Sequence, residues 1–175
     1  MVTRLDARRI ASVALLIVVL AIILFPSYAM GIVTLKITDS EATPDQPLHV
    51  KYANIALHRT GEGEKYGWVE LLTNATGIYD LSTLRGTSET VLRSRLPVGK
   101  YDKIRLTVVE ATTSVNKTKI NLSIKQAALT LNIELNTDFG EERILLIDFK
   151  SNSTRARIDR VYEGSPVVTI MKTSK

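Results

Sequence analysis

The stretch L-P-V-G-K-Y-D-K-I-R-L-T-V, at residues 96–108, joins a turn to an alternating run of apolar side chains. The letters P-V-G-K are typical of a turn, and Ile104, Leu106 and Val108 then alternate with polar residues. Side chains two positions apart lie on the same face of a β-strand. The stretch therefore predicts a strand with one face in a hydrophobic core and the other in solvent.

The same two-residue period recurs through most of the chain and predicts about nine strands separated by turn-forming residues. Many short strands with hairpin-like connections favour an all-β fold, a single antiparallel β-sandwich over residues 31–172. The predicted strands span residues 33–37, 48–57, 66–72, 91–96, 104–108, 120–124, 129–135, 145–149 and 167–171.

Three local patterns predict how these strands begin, bend and connect. A change of face within the second strand predicts a β-bulge near Ala53 and Asn54. A hairpin is expected to close around residues 116–118, and residues 80–86 predict one short helical turn capped by Asp80. The alternation then predicts a core that contains Leu35, Ile37, Val50, Trp68, Ile104, Leu106, Leu131, Leu145 and Ile147.

Residues 1–29 have the three-part layout of a secretory signal: a basic start, an apolar run over residues 10–25, and small residues up to Ala29. Pro26 is expected to end the apolar helix. Cleavage after Ala29 is the favoured prediction, and the alternative is an uncleaved N-terminal membrane anchor. Both place the later residues outside the cytoplasm, so the sequence predicts an extracytoplasmic protein that is secreted or anchored to the cell membrane.

The Asn-x-Ser/Thr acceptor pattern occurs at four asparagines, which is more often than chance predicts and agrees with export. These candidate glycosylation sites are Asn74, Asn116, Asn121 and Asn152. The sequence contains no cysteine, which excludes disulfide frameworks and thiolate zinc sites. A cysteine-free chain rich in Ile, Val, Leu, Arg and Glu favours a thermophilic source.

The charge and the titratable residues give little sign of catalysis. The formal net charge of +5 is spread thinly over 175 residues without interleaved aromatics, so no nucleic-acid partner is predicted. His49 and His58 are nine positions apart on one predicted strand, which is poor geometry for a shared metal ion unless the bulge realigns them. The sequence predicts no catalytic residue, no cofactor and no metal site. The one open alternative is weak calcium binding by the loop carboxylates Asp39, Glu41 and Asp45.

Two classes of function remain after these exclusions. The first is a structural or interaction module of the cell envelope, which binds an envelope protein or assembles with its own copies. In a sharper version, the segment after Ala29 adds as a strand to a neighbouring subunit, although it also fits an ordinary first strand of its own sandwich. The second is a glycan- or ligand-binding domain, with hydrolysis as an extension, for which Trp68, Tyr66 and Tyr79 are the candidate sugar platform.

Five pieces of the sequence, in order, resemble the family named domain of unknown function 4382. They are G-I-V-T-L-K-I-T-D-S at 31–40, L-H-R-T-G-E-G at 57–63, D-L-S-T-L at 80–84, L-P-V-G-K-Y-D-K-I-R-L-T-V at 96–108 and L-L-I-D-F-K at 145–150. The resemblance implies an extracytoplasmic β-sandwich of archaeal or bacterial envelope proteins, many of which are lipoproteins. This chain lacks the lipoprotein cysteine, so lipid anchoring is not carried over, and the family brings no reaction or catalytic residue.

Overall fold

The computed structural model describes residues 7–74, 76–151, 159–163 and 165–172, and within the N-terminal helix it describes the side chains of residues 10–21. The helix α1 precedes twelve described strands, and a 3-10 turn at Leu81–Thr83 follows the fourth. The elements are α1 (Ala7–Tyr28), β1 (Met30–Thr38), β2 (Leu48–Arg59), β3 (Trp68–Leu72), β4 (Ile78–Asp80), β5 (Glu89–Pro97), β6 (Gly99–Val115), β7 (Thr118–Asn121), β8 (Ser123–Ile124), β9 (Ala128–Thr137), β10 (Glu142–Asp148), β11 (Val161–Tyr162) and β12 (Val167–Lys172).

The strands form two main sheets that pack face to face. Sheet A has the order β12-β10-β1-β5. Sheet B has the order β3-β2-β6-β7, with β4 paired to β2 and β9 paired to β6. The strands are antiparallel except in two pairs, β1 with β10 and the small pair β8 with β11. The all-β sandwich-like fold is therefore confirmed, with a parallel pair at the centre of sheet A that the sequence did not predict.

All nine predicted strands are present, and the two described strands that were not predicted, β4 and β11, are three and two residues long. The predicted strand at residues 120–124 is split into β7 and β8 at Leu122. Short pieces of this kind pair over too few residues to show an alternating pattern. Such strands are recognised only from their pairing in the structure.

The hydrophobic core lies between the two sheets and takes alternate side chains from both. Seven of the nine predicted core residues are buried, with relative exposures of 0 to 2%. Leu131 is only partly buried against the core, and Trp68 is partly exposed. Trp68 pairs with His58 across the sheet and so lies on the outer face of sheet B, because Leu57 and Val69 take the inner positions.

The predicted local features agree with the structure. The β2–β6 register shifts between Ala53 and Ala56, and Asn54 adopts φ 49°, as a β-bulge requires. Asn116 and Lys117 both have positive φ and form the two-residue turn between β6 and β7. The Asp80 side chain accepts a hydrogen bond from Ser82 N and caps the 3-10 turn.

Helix α1 presents apolar side chains to all sides in its described part. Eight large apolar side chains between Ile10 and Leu20 are 43 to 65% exposed, so the sandwich does not cover them. The helix ends at Tyr28, two residues after Pro26, so the proline lies in its last turn instead of stopping it as predicted. In the part of the chain that the structure describes, no helix is both long and apolar enough to cross a membrane.

Candidate functional site

The most elaborate polar arrangement of the described residues lies on the outer face of sheet B, around His58. This imidazole is 2% exposed, and its Nδ1 lies 2.7 Å from Oδ1 of Asp102 on β6. A carboxylate only accepts hydrogen bonds, so Nδ1 carries the proton that it donates to Asp102. The other ring nitrogen, Nε2, lies 3.4 Å from the carbonyl oxygen of Gly63. His58 is therefore fixed through Nδ1, and its buried ring is not open to a substrate.

Trp68 completes the cover over this histidine. Its ring lies edge-on to the His58 ring with centroids 5.0 Å apart, and its Nε1 donates to the carbonyl of Glu64 at 2.7 Å. The Arg105 guanidinium lies 4.2 Å from the Trp68 ring centroid, a cation–π contact. One ring face, one edge and the indole N–H are thus engaged within the protein.

The loop between β2 and β3 closes over His58, and Gly67 makes that approach possible. A Cβ atom at Gly67 would lie 2.7 Å from His58 Nε2, closer than side chains pack. The loop is fastened to β6 by the ion pair between Glu64 and Lys103. The hydrogen bond from Lys103 lowers the pKa of the Glu64 carboxyl, and Glu64 raises the pKa of Lys103.

A pocket of about 940 Å³ lies beside this cluster, between β6, β9 and β12; we call it the β6–β9 pocket. It lies at a bulge where the register of β6 and β9 shifts between Tyr101 and Lys103. Asp102 lines the pocket while it also binds His58. The walls are apolar on the core side and polar on the outer side. The pocket residues on β9 and β12 are Asn132, Ile133, Glu134, Leu135, Asn136, Val168 and Ile170.

The three aromatic residues predicted as a sugar platform do not form one surface. Tyr66 is 79% exposed in the loop before β3, and Trp68 is covered by Arg105. Tyr79 is 8% exposed and lies in the core, where its ring is 6.0 Å from that of Tyr52. Tyr79 pairs with Val50 and Trp68 with His58, eight residues further along β2, so the two residues lie about 25 Å apart along the strand.

The bulge in β2 places His49 and His58 on the same outer face of sheet B, as the sequence allowed. They still lie at opposite ends of the strand, where His49 pairs with Thr112 and His58 with Lys103. Among the described residues no group of three or more histidine and carboxylate side chains could hold a metal ion. The two histidines do not share a site.

The three carboxylates of the candidate calcium loop do not converge. Asp39 is fully buried and accepts hydrogen bonds from the backbone and hydroxyl of Ser151 and from Glu41 N. Burial raises the pKa of the Asp39 carboxyl, and these hydrogen bonds partly offset the rise. Glu41 and Asp45 are exposed. Asp39 therefore connects the end of β1 to the segment after β10.

The candidate glycosylation sites that the structure describes are all exposed and all belong to sheet B or its turns. Asn74 lies between β3 and β4, Asn116 in the β6–β7 turn, and Asn121 at the end of β7. Asn152 lies outside the described residues. The favoured cleavage point, Ala29, lies between α1 and β1 and is 7% exposed.

The sequence did not indicate Asp102, Arg105 or Gly67 as site residues. Asp102 is 44 positions from its partner His58, and only the pairing of β2 with β6 brings the two together. A lone aspartate between Tyr101 and Lys103 carries no recognisable motif. The sequence signal for this site was a histidine at the end of a predicted strand, followed by a loop that contains glycine.

Comparisons with known proteins give one result. The family model named Domain of unknown function (DUF4382) matches residues 30–157, which is most of the chain and includes ten of the twelve described strands, β1 to β10. No curated protein matches the sequence. The match starts at the first residue of β1 and includes the His58 cluster and β9. The chain therefore belongs to the DUF4382 family.

Proposed function

We propose that the chain is a non-catalytic, extracytoplasmic module of the cell envelope that acts by protein–protein interaction or surface assembly. The proposal rests on the contrast between α1 and the sandwich on either side of their boundary. The described part of α1 is apolar on all sides and exposed, whereas β1 begins at Met30 and lies in the middle of sheet A. An apolar helix that its own domain does not bury is typical of an export signal or anchor.

Cleavage after Ala29 would release the sandwich with β1 complete. The cut would cost one backbone hydrogen bond, from Val98 N to the Ala29 carbonyl, while the bond from Gly140 N to the Met30 carbonyl would remain. Both functional classes need this step or the alternative anchor, since both act outside the cytoplasm. The exposed asparagines of the acceptor motifs support glycosylation of the exported domain.

We expect the mature protein to begin at Met30. A signal peptidase reads small residues at the last and the third-last position, so Ala29→Tyr should block cleavage and leave the full chain attached to membranes. Tyr28→Gln changes the position between them and should leave cleavage intact. N-terminal sequencing and intact mass of cell fractions measure both outcomes, and the excess mass reports glycans. Wild-type chain that begins at Met1 in the membrane fraction would show an anchor, and full chain in the cytoplasm would contradict export.

A second candidate function is glycan or ligand binding, favoured by the β6–β9 pocket and by the exposed ring of Tyr66. Because the Trp68 ring is covered by Arg105 and Tyr79 is buried, Tyr66 is the member of the predicted platform that can stack on a sugar. Binding of envelope oligosaccharides to the wild-type chain should then fall at least tenfold in Tyr66→Ala, the usual scale for an exposed aromatic contact. Tyr79→Phe is the matched control, since its ring is buried. Calorimetry that detects no binding by the wild-type chain would remove this candidate.

A further inference from the structure

Strand β9 forms a free edge of sheet B. Among the described residues it pairs with β6 alone, along Ala128–Thr137. The five consecutive residues 132–136 all line the β6–β9 pocket, together with Val168 and Ile170 of β12. An unpaired edge presents backbone N–H and C=O groups that can pair with another strand.

Apart from the bulge between Asn132 and Leu135, the edge of β9 lacks the features that usually prevent such pairing. Its ten residues, A-L-T-L-N-I-E-L-N-T, contain no proline, no glycine and no lysine, and the only charge is that of Glu134. Soluble proteins commonly protect an edge strand with lysine, proline or a very short length. A long and nearly uncharged edge therefore points to a strand that is covered in the assembled protein.

The wall of the pocket supports the same conclusion. Val168 and Ile170 of β12 are partly buried against the core and line the pocket on its inner side. A second sandwich placed against the β9 edge would cover these side chains and remove more apolar surface from water. None of the acceptor asparagines that the structure describes lies on this edge.

We infer that β9 pairs antiparallel with β9 of a second copy of the chain, centred on Ile133, so that sheet B continues across the two copies. In this two-fold arrangement residue 132 of each copy faces residue 134 of the other. The Asn132 amide can then donate to the Glu134 carboxylate; neither side chain has a partner among the described residues. A pairing centred on Glu134 would instead place the two carboxylates opposite each other. The inference rests on the assembly role proposed above and names its surface.

The test changes the charge that faces Glu134. Asn132→Glu places a carboxylate opposite each Glu134 and should weaken dimerisation about tenfold, since two like-charge pairs form. Asn132→Lys places an ammonium there and should strengthen it by a similar factor. In the double variant Asn132→Glu, Glu134→Asn, each new glutamate again faces an asparagine, so affinity should return to the wild-type value. Sedimentation equilibrium of the full chain in mild detergent measures all four proteins.

The matched controls are Asn74→Glu and Asn74→Lys, which make the same charge changes at an exposed residue on the opposite edge of sheet B. They should leave the dissociation constant unchanged. A wild-type chain that stays monomeric, or a dimer that all substitutions at residue 132 leave unchanged, overturns the inference. A double variant that stays as weak as the single one overturns the register centred on Ile133. None of these failures bears on export, which the mature N-terminus tests separately.

Discussion

Leu106→Ala is expected to lower the free energy of unfolding by about 2 to 5 kcal/mol. Leu106 is 2% exposed and lines a small void between the sheets, together with Leu35 and Ile147 from sheet A and Tyr52 from sheet B. Tyr52 is itself stacked on Phe149, with ring centroids 5.0 Å apart. Stacked rings cannot easily move into the space left by the leucine, so part of the cavity should persist and add to the lost burial.

The matched control for this substitution is Val109→Ala. Val109 lies three residues further along the same strand but is 45% exposed, so its truncation should cost less than about 0.5 kcal/mol. Urea unfolding followed by circular dichroism measures both variants. A Leu106→Ala chain as stable as the wild type would mean that β6 turns its other face to the core.

Asp39→Ala should cost about 3 kcal/mol, because it leaves buried donors without a partner. The carboxylate is fully buried and accepts from Ser151 N at 3.2 Å, from the Ser151 hydroxyl, and from Glu41 N at 3.2 Å. A buried donor that loses its acceptor costs about 1 to 3 kcal/mol, and alanine offers no acceptor to any of the three. The end of β1 would also lose its attachment to the segment after β10.

Asp39→Asn removes the negative charge of this side chain but keeps one oxygen that can accept a hydrogen bond. Burial raises the pKa of this carboxyl, which means that the fold disfavours its charged form. The neutral amide keeps one acceptor oxygen and avoids the burial of a charge, so it should cost clearly less than alanine. Asp45→Ala, at an exposed position of the same loop, should be neutral. A melting temperature that falls with a chelator and recovers with calcium in the wild type, but not in Asp39→Asn, would contradict this structural role and make the loop a metal site.

The features that the sequence predicted well are those determined by near neighbours. Which side chains of β1, β6 and β10 point into the core follows from the alternation of apolar and polar residues within each strand. The bulge at Asn54 follows from the change of apolar face within one strand, and the caps and turns follow from residues within a few positions. Such features need no knowledge of which strands pair.

The features that were not predicted depend on pairings between distant segments. Nothing in β1 or β10 alone shows that they lie side by side and parallel. Trp68 was expected in the core from the alternation of its strand, but both faces of β3 carry apolar residues, so the alternation did not determine which face points inward. The pairing of His58 with Trp68 resolves that ambiguity and places the indole outside. For the same reason, the sequence did not show that Asp102 is the partner of His58.

The central position of β1 in sheet A also determines when the protein can fold. Thr34 on β1 donates to Glu142, which follows it by 108 residues, and β1 pairs in parallel with β10 along its length. Until β10 has left the ribosome, β1 can pair only with β5, and sheet A lacks its other two strands. Closing so long a loop carries a large entropy cost, which places this chain among domains that fold in milliseconds to seconds. During synthesis, sheet A and the core between the sheets therefore stay incomplete until β10 emerges, and the apolar faces of the earlier strands are available to chaperones.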